Sequence, residues 1–342
     1  EFKKAIIDVI TEGKKGLHRY MPNPGYPFVR DKIAVSLNNN GYFEGITGDS
    51  IIMTVGAAGG INVILNAIVD TNDEIILLKP FFVDYAKYVS NYGGNPVFVD
   101  TDEDFGVDIG KIESAVTTKT KAIIINTPNN PTGRVYTDEK LKNLADLLER
   151  KSINKTIYLI SDEPYREIIF SGNKYYSPCT FYKNSFMVYS WSKSLSIPGE
   201  RIGYIALNPK MKNIDEIFKG LTLSLRILGF VNSPALMQNV IARILDIPFD
   251  LKHYEEKRNI LFNCLVKNGY ELTTPEGGFY MFIKYPVSDE QFLKIARESL
   301  LLVVPGDAFG VPTHFRISFC LDTDTIKKAC EKFENISNTL RL

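Results

Sequence analysis

The chain lacks the features that mark nucleic-acid-binding, membrane or disulfide-built proteins. Charge of neither sign is in excess. Forty Lys and Arg stand against forty Asp and Glu, which leaves no net field to draw a phosphate backbone or an anionic bilayer. Long apolar runs are missing as well. None approaches the roughly 18 residues of a membrane-spanning helix, and the opening Glu1-Phe2-Lys3-Lys4-Ala5 lacks the order of a secretion signal. Cysteine is sparse: Cys179, Cys264, Cys320 and Cys330 show no CxxC or zinc-finger spacing, and three sit in apolar surroundings. This argues for reduced thiols and a cytoplasmic protein. The three histidines, His18, His253 and His314, have no ligand spacing, so no metal is expected. Internal repeats, low-complexity tracts and long flexible linkers are absent too.

What is present is alternation. Across 342 residues, enough for two domains at about 100 to 200 residues each, short continuous apolar runs recur at 51–55, 74–78, 96–99, 121–126, 156–160, 186–189 and 202–206. Such runs suit strands covered on both faces. Helix-period segments lie between several of them, among them 60–69 and 138–148, the latter opened by Thr137 as a cap. The pattern predicts an α/β domain over residues 46–247 with a mostly parallel sheet. After residue 247 it changes to a helix over 251–267, strands at 271–274 and 279–283, a helix over 289–299, a strand at 314–319 and a last helix from Asp324. Residues 248–342 read as a smaller α+β domain.

In such sheets ligands bind beyond the carboxyl ends of the strands, and the residues there are rich in chemistry. Lys193 stands in Tyr189-Ser190-Trp191-Ser192-Lys193-Ser194, with Arg201 eight residues on. A primary amine among hydroxyls, close to a guanidinium, suits an imine with a phosphorylated aldehyde; a solvated loop lysine and a surface arginine are the plain alternative. After 121–125 comes Asn126-Thr127-Pro128-Asn129-Asn130-Pro131-Thr132-Gly133, after 156–160 comes Ser161-Asp162-Glu163-Pro164-Tyr165, and after 51–55 comes Gly56-Ala57-Ala58-Gly59-Gly60 ahead of a helix. Taken singly, Asn130 could cap a turn, Asp162 could pair with a base, Tyr165 could be packing, and the glycines could open a nicotinamide-cofactor site, though GxGxxG is lacking. The combination is what pyridoxal phosphate requires. An amine holds the aldehyde, a carboxylate keeps the pyridine nitrogen protonated, a phenol and an amide bond the ring oxygen, and backbone NH groups with a cation hold the phosphate.

These motifs, in this order and closed by Phe315-Arg316-Ile317-Ser318-Phe319, resemble the class I/II aminotransferases of the fold-type I pyridoxal phosphate enzymes from about Leu17 to Phe319. The resemblance implies a large domain with a mostly parallel seven-stranded sheet flanked by helices, plus a smaller α+β domain. Residues 1–45 would serve the small domain and dimer contacts. Lys193 would bind the cofactor and shuttle protons, with Asp162 at the pyridine nitrogen and Asn130 and Tyr165 at the ring oxygen. Ser190, Arg201 and the backbone at Gly56, Ala57 and Ala58 would hold the phosphate. Phe82, in Lys79-Pro80-Phe81-Phe82, matches the ring set against the cofactor, unless it is ordinary core. Tyr20 matches a tyrosine that reaches the neighbour's phosphate in a homodimer with shared sites, unless it is a loop residue. Arg316 would grip the substrate's α-carboxylate, beside Asn130, unless it forms a buried salt bridge.

The implied reaction is transamination in two half-reactions between an aspartate- or aromatic-type amino acid and a 2-oxo acid, with 2-oxoglutarate favoured. A carbon-sulfur β-lyase of the same fold shares these motifs. A non-catalytic ligand-sensing module would need a DNA-binding partner domain, and neither a helix-turn-helix segment nor a basic face is evident. Family members carry some tens of residues before the helix that opens here at 2–7, including an arm across to the partner, so either this chain begins late or its pocket is more open. Which amino acid is preferred is not legible.

Overall fold

Most of the β-branched runs fold as strands covered on both faces; the run at 96–99, at the sheet edge, buries only Val99. The computed structural model describes residues 1–13, 15–245, 247 and 250–341. Strands β1 (Ile51–Thr54), β2 (Glu74–Lys79), β3 (Asn95–Asp100), β4 (Thr120–Asn126), β5 (Tyr158–Asp162), β6 (Ser185–Ser190) and β7 (Gly203–Leu207) form a seven-stranded sheet in the order β1-β7-β6-β5-β4-β2-β3. Strands β6, β5, β4, β2 and β3 run parallel, while β7 is antiparallel to both β6 and β1. Every residue of β1, β6 and β7 is buried.

The helices are α1 (Phe2–Thr11), α2 (Pro27–Asn39), α3 (Gly56–Ile68), α4 (Tyr85–Asn91), α5 (Ile109–Ala115), α6 (Asp138–Lys151), α7 (Ile214–Ile227), α8 (Ala235–Ile244), α9 (Leu251–Lys267), α10 (Asp289–Glu298) and α11 (Thr323–Leu340). The period-two alternation of the strands sorts their side chains between layers. Ile51, Met53, Met187 and Tyr189 face a core shared with α1, α2 and α8. Ile52, Ile75, Leu77 and Val188 face one shared with α3 and α7. Ile76, Leu78, Ile123 and Leu159 face α5 and α6. Each fully buried aliphatic side chain contributes roughly 1.5–3 kcal/mol. Helix α6 begins as its sequence predicts, with the Thr137 side chain accepting from Lys140 N and acidic residues in the first turn.

Residues 1–45 depart from expectation in where they pack. Ala5, Val9, Val29 and Ile33 share the first of those cores with Met237 and Val240 of α8, and none of the buried residues of 1–45 joins the small-domain cluster. The segment also covers the free edge of β1, since Met53 N donates to Pro24 O at 2.8 Å.

A three-stranded antiparallel sheet, β8 (Tyr280–Lys284), β10 (His314–Ser318) and β9 (Val304–Pro305) in that order, packs with α9, α10 and α11. The strand expected at 271–274 is absent; only Leu272 makes a bridge, to Ile283. Pro275 has no NH to continue a ladder, and the chain turns there. Strand β9, two residues long, was too short to leave a period. Taking 46–247 and 248–342 as domains remains our proposal, and one segment crosses that division: Tyr165, Ile168 and Phe170 pack into the small-domain cluster.

The loop at 275–278 fastens the two parts. Glu276 N and Gly277 N both donate to Gly133 O at 2.9 Å, Phe170 N donates to Glu276 O at 2.9 Å, and Gly278 N donates to Ile168 O at 2.9 Å. The Glu276 carboxylate accepts from Val135 N at 2.8 Å and from Arg134 Nη1 at 2.9 Å. Replacing Glu276 with Ala is expected to cost about 1–3 kcal/mol, read as a lower urea midpoint, while Glu276→Gln, which keeps an acceptor for Val135 N, should cost less. An unchanged midpoint in the alanine variant would show that the backbone bonds alone hold the loop.

Candidate active site

Several stretches of chain meet around a cavity of about 300 Å³ at the ends of β4, β5 and β6, and Tyr280 of β8 and Arg316 of β10 in the small sheet also line it. At the end of β4, Asn126 is the organiser. Its Nδ2 donates to Asp162 O at 2.8 Å and its Oδ1 accepts from Asn130 N at 2.6 Å, tying the turn to β5. Asn130 lines the cavity, and its Oδ1 accepts from Arg316 Nη1 at 3.0 Å. Arg316, on β10, has its guanidinium carbon 4.3 Å from the Tyr280 ring centre and 4.8 Å from that of Phe309. Flat aromatic faces flank the guanidinium, which lines the cavity.

At the end of β5, Asp162 is buried. Its Oδ2 accepts from the Tyr85 hydroxyl, and its Oδ1 has no partner among the described residues. Burial pushes the Asp162 carboxyl up to about 7; the neighbouring Glu163 charge adds to this, while the Tyr85 bond and the Lys193 charge oppose it. Tyr165 is also buried, with its hydroxyl against that of Tyr280, and burial and that bond raise its pKa well above the ordinary value.

Beyond β6, the Ser190 and Ser192 hydroxyls are 2.6 Å apart. Lys193 Nζ lies 5.7 Å from the Tyr165 ring centre and 5.3 Å from that of Phe279. Burial lowers the Lys193 pKa; the Arg316 and Arg201 charges lower it further, against Cys320 and Asp162. Arg201 holds a left-handed backbone at φ 50°, and its guanidinium donates to Pro198 O at 2.9 Å and Val55 O at 3.3 Å. Gly56, at φ +78°, leaves it room, since a Cβ there would stand 2.8 Å from Arg201 Nη2. Helix α3 begins at Gly56 rather than at 60, so the glycine-rich stretch forms its first turn instead of a preceding loop. Ala57, Ala58 and Phe82 complete the wall.

Of the residues singled out in the sequence, only Tyr20 and Gly56 do not line this cavity; Gly56 lies under Arg201, and Tyr20 is 90% exposed elsewhere. Sequence reasoning missed Asn126, Tyr85 and Tyr280. Asn126 stood in the quoted turn, but Tyr85 lies 77 residues from its partner, a pairing that no spacing reveals. A larger cavity of about 580 Å³ lies beyond Trp191. Its cation Arg166 is already engaged by Glu167, Glu163 and Tyr204, so it gathers no comparable set.

The sequence model described as Aminotransferase class I and II matches residues 1–333. The chain belongs to this family. Like other members of it, this aminotransferase depends on pyridoxal phosphate. It is 32% identical over 352 residues to a probable aspartate/prephenate aminotransferase of Aquifex aeolicus, covering 96% of this chain and 87% of that protein. It is 28% identical over 355 residues to aromatic-amino-acid aminotransferase 2 of Thermococcus litoralis, covering 100% and 88%. An aminotransferase structure from Eubacterium rectale superposes with a TM-score of 0.95 at 37% identity, over 99% of this chain and 86% of that one. The Thermus thermophilus aspartate aminotransferase with maleate gives 0.88 at 28%, over 98% and 87%.

The aminotransferase's residues fit that cofactor on their own chemistry. A buried carboxylate oxygen lacks a donor among the described residues, a half-buried amine has a lowered pKa, and a guanidinium lies over the first turn of a helix with no side chain between. The first of these has a thermodynamic consequence in the cofactor-free protein. The unfolded carboxyl titrates near 3.8 and the folded one near 7, so the folded state binds the proton more tightly. That stabilising contribution is whole below about pH 4 and is lost as pH rises through about 7. Asp162→Asn cannot ionise, so its stability advantage over the cofactor-free parent should grow by a few kcal/mol across this window. Urea unfolding of both at several pH values measures it; a constant difference would mean that Asp162 is not buried as described.

Proposed function

We propose that this aminotransferase moves an amino group between an amino acid of the aspartate or aromatic type and a 2-oxo acid, with 2-oxoglutarate as one partner, in two alternating half-reactions. One observation carries the reading: the free Oδ1 of Asp162, the Lys193 amine and the Arg316 guanidinium share a single cavity. Relatives named for aspartate, prephenate and aromatic amino acids, and the Thermus thermophilus enzyme with maleate, support the substrate classes.

In this reading pyridoxal phosphate, when bound, supplies an electron sink for the charge that develops at the substrate's Cα. Asp162 offers Oδ1 to a protonated ring nitrogen. Asn130 and Tyr165 donate to the ring oxygen, and Phe82 supplies a flat wall. Ser190, Arg201 and the amides of Gly56, Ala57 and Ala58 take the phosphate. Arg316 turns its planar fork on the substrate's α-carboxylate, with Asn130 steadying it. Lys193 removes the Cα proton in one half-reaction and returns one in the other; its lowered pKa keeps more of the amine neutral and able to act as a base.

The same reading takes the enzyme as a homodimer in which Tyr20, whose ring stands in solvent, completes the neighbour's phosphate site. A cytoplasmic setting fits its four free cysteines, and no helix among the described residues is long and apolar enough to cross a membrane.

Borohydride reduction of the holoenzyme should fix the cofactor to Lys193, as peptide mass mapping would show; a label on Lys174 or Lys183 would overturn the assignment. Arg316→Lys keeps the charge without the fork and should raise KM for every amino acid roughly tenfold to a hundredfold, with cofactor affinity nearly unchanged. A rise confined to dicarboxylic substrates would place Arg316 at the side-chain end of the pocket instead.

A further inference from the structure

Tyr85 lies on no wall assigned above, yet it makes the side-chain bond that holds the Asp162 carboxylate. It opens α4 and is 1% exposed, packed among Ile61, Leu65 and Val188. A phenylalanine would fill that core equally well. The hydroxyl is the anomaly, because a buried OH needs an acceptor. Its one side-chain partner among the described residues is Asp162 Oδ2, and an ionised carboxylate can only accept.

Two contacts fix the geometry. The Phe82 and Tyr85 rings meet edge to face at 5.4 Å, with Tyr85 N donating to Phe82 O at 3.0 Å, so the ring lining the cavity rests on the ring beneath it. On the other side Asn126 pins the Asp162 backbone oxygen. With the main chain held by Asn126 and Oδ2 held by Tyr85, the carboxylate cannot turn, and Oδ1 is the oxygen left free.

We propose that Tyr85 is a positioning residue which favours the ionised form of Asp162 and presents its free oxygen to the cavity. The inference rests on the role given to Asp162 under Proposed function. Charged and titratable groups around that carboxylate come from each neighbouring stretch: Glu163 beside it, Lys193 beyond β6, Tyr165 on the following turn, and Tyr88 on α4. Of these and Tyr85, Tyr85 alone has a hydroxyl bonded to the carboxylate.

The test reads the carboxyl directly, in the full chain freed of cofactor, by the infrared band of the protonated acid against pH, with Asp162→Asn identifying the band. Tyr85→Phe removes the donor to the charged form, so the midpoint should rise by about one pH unit or more. Replacing Tyr85 by 3-fluorotyrosine, a more acidic donor in the same space, should lower it. In the holoenzyme Tyr85→Phe should reduce kcat roughly tenfold with KM for the amino acid nearly unchanged, a split that loosened packing would not give. A midpoint that stays put in both variants overturns the proposal, as does an unchanged kcat when the midpoint moves. The proposed role of Lys193 is judged separately by the borohydride label, so a failure there is distinguishable from a failure here.

Discussion

An ionisable carboxyl group buried at the carboxyl end of β5 is expensive: burial, the largest cause, with the Glu163 charge holds its pKa up at about 7 against the Tyr85 bond and the Lys193 charge. Among the described residues, a single hydroxyl bonds the Asp162 carboxylate and one of its oxygens has no partner. On the role proposed for Asp162, the cofactor-free molecule carries a local penalty that a cationic ring nitrogen would relieve, so that binding energy would come from a group already desolvated and oriented. Lys193 shows the complementary arrangement: its ammonium form is disfavoured by burial and by two nearby guanidinium groups. Acid and base are thus pushed toward each other's range by the same walls.

The second constraint is registration between two sheets. Asn130 belongs to the turn after β4 and Arg316 to β10, yet they share a hydrogen bond. That is possible only because the loop at 275–278 is bonded to Gly133 and Ile168 and leads directly into β8, the neighbour of β10. Besides that side-chain bond, the backbone bonds of this loop hold the polar groups on the two sheets in register.

Much of this was legible in the sequence. The seven apolar runs became the seven strands, and Lys193, Asp162, Asn130, Arg201 and Arg316 lie where strand ends and turns put them, because local chemistry and strand direction determine both. The loss of the strand at 271–274 followed from Pro275, whose consequence is local but was outweighed by the β-branched pair beside it. Glycine is a poor helix former, so the sequence places Gly56 before the helix, whereas α3 starts at Gly56 with Gly56, Gly59, Gly60 and Ile61 buried. Tyr85 and Glu276 were illegible for a different reason. Each acts on residues distant in sequence, 77 and 142 positions away respectively, and only the packed fold brings such groups together.

Gly56 and Arg201 illustrate how such packing shapes what the sequence can become. The glycine's missing side chain is the space the guanidinium uses, and the arginine's own left-handed backbone is set by the short turn at Pro198–Glu200. Neither position can drift on its own. A mutational library that varied residue 56 would sample mostly displaced arginines, so the two sites form one unit of heritable variation split across 145 residues of chain, and redesign of this end of the cavity would have to change them together.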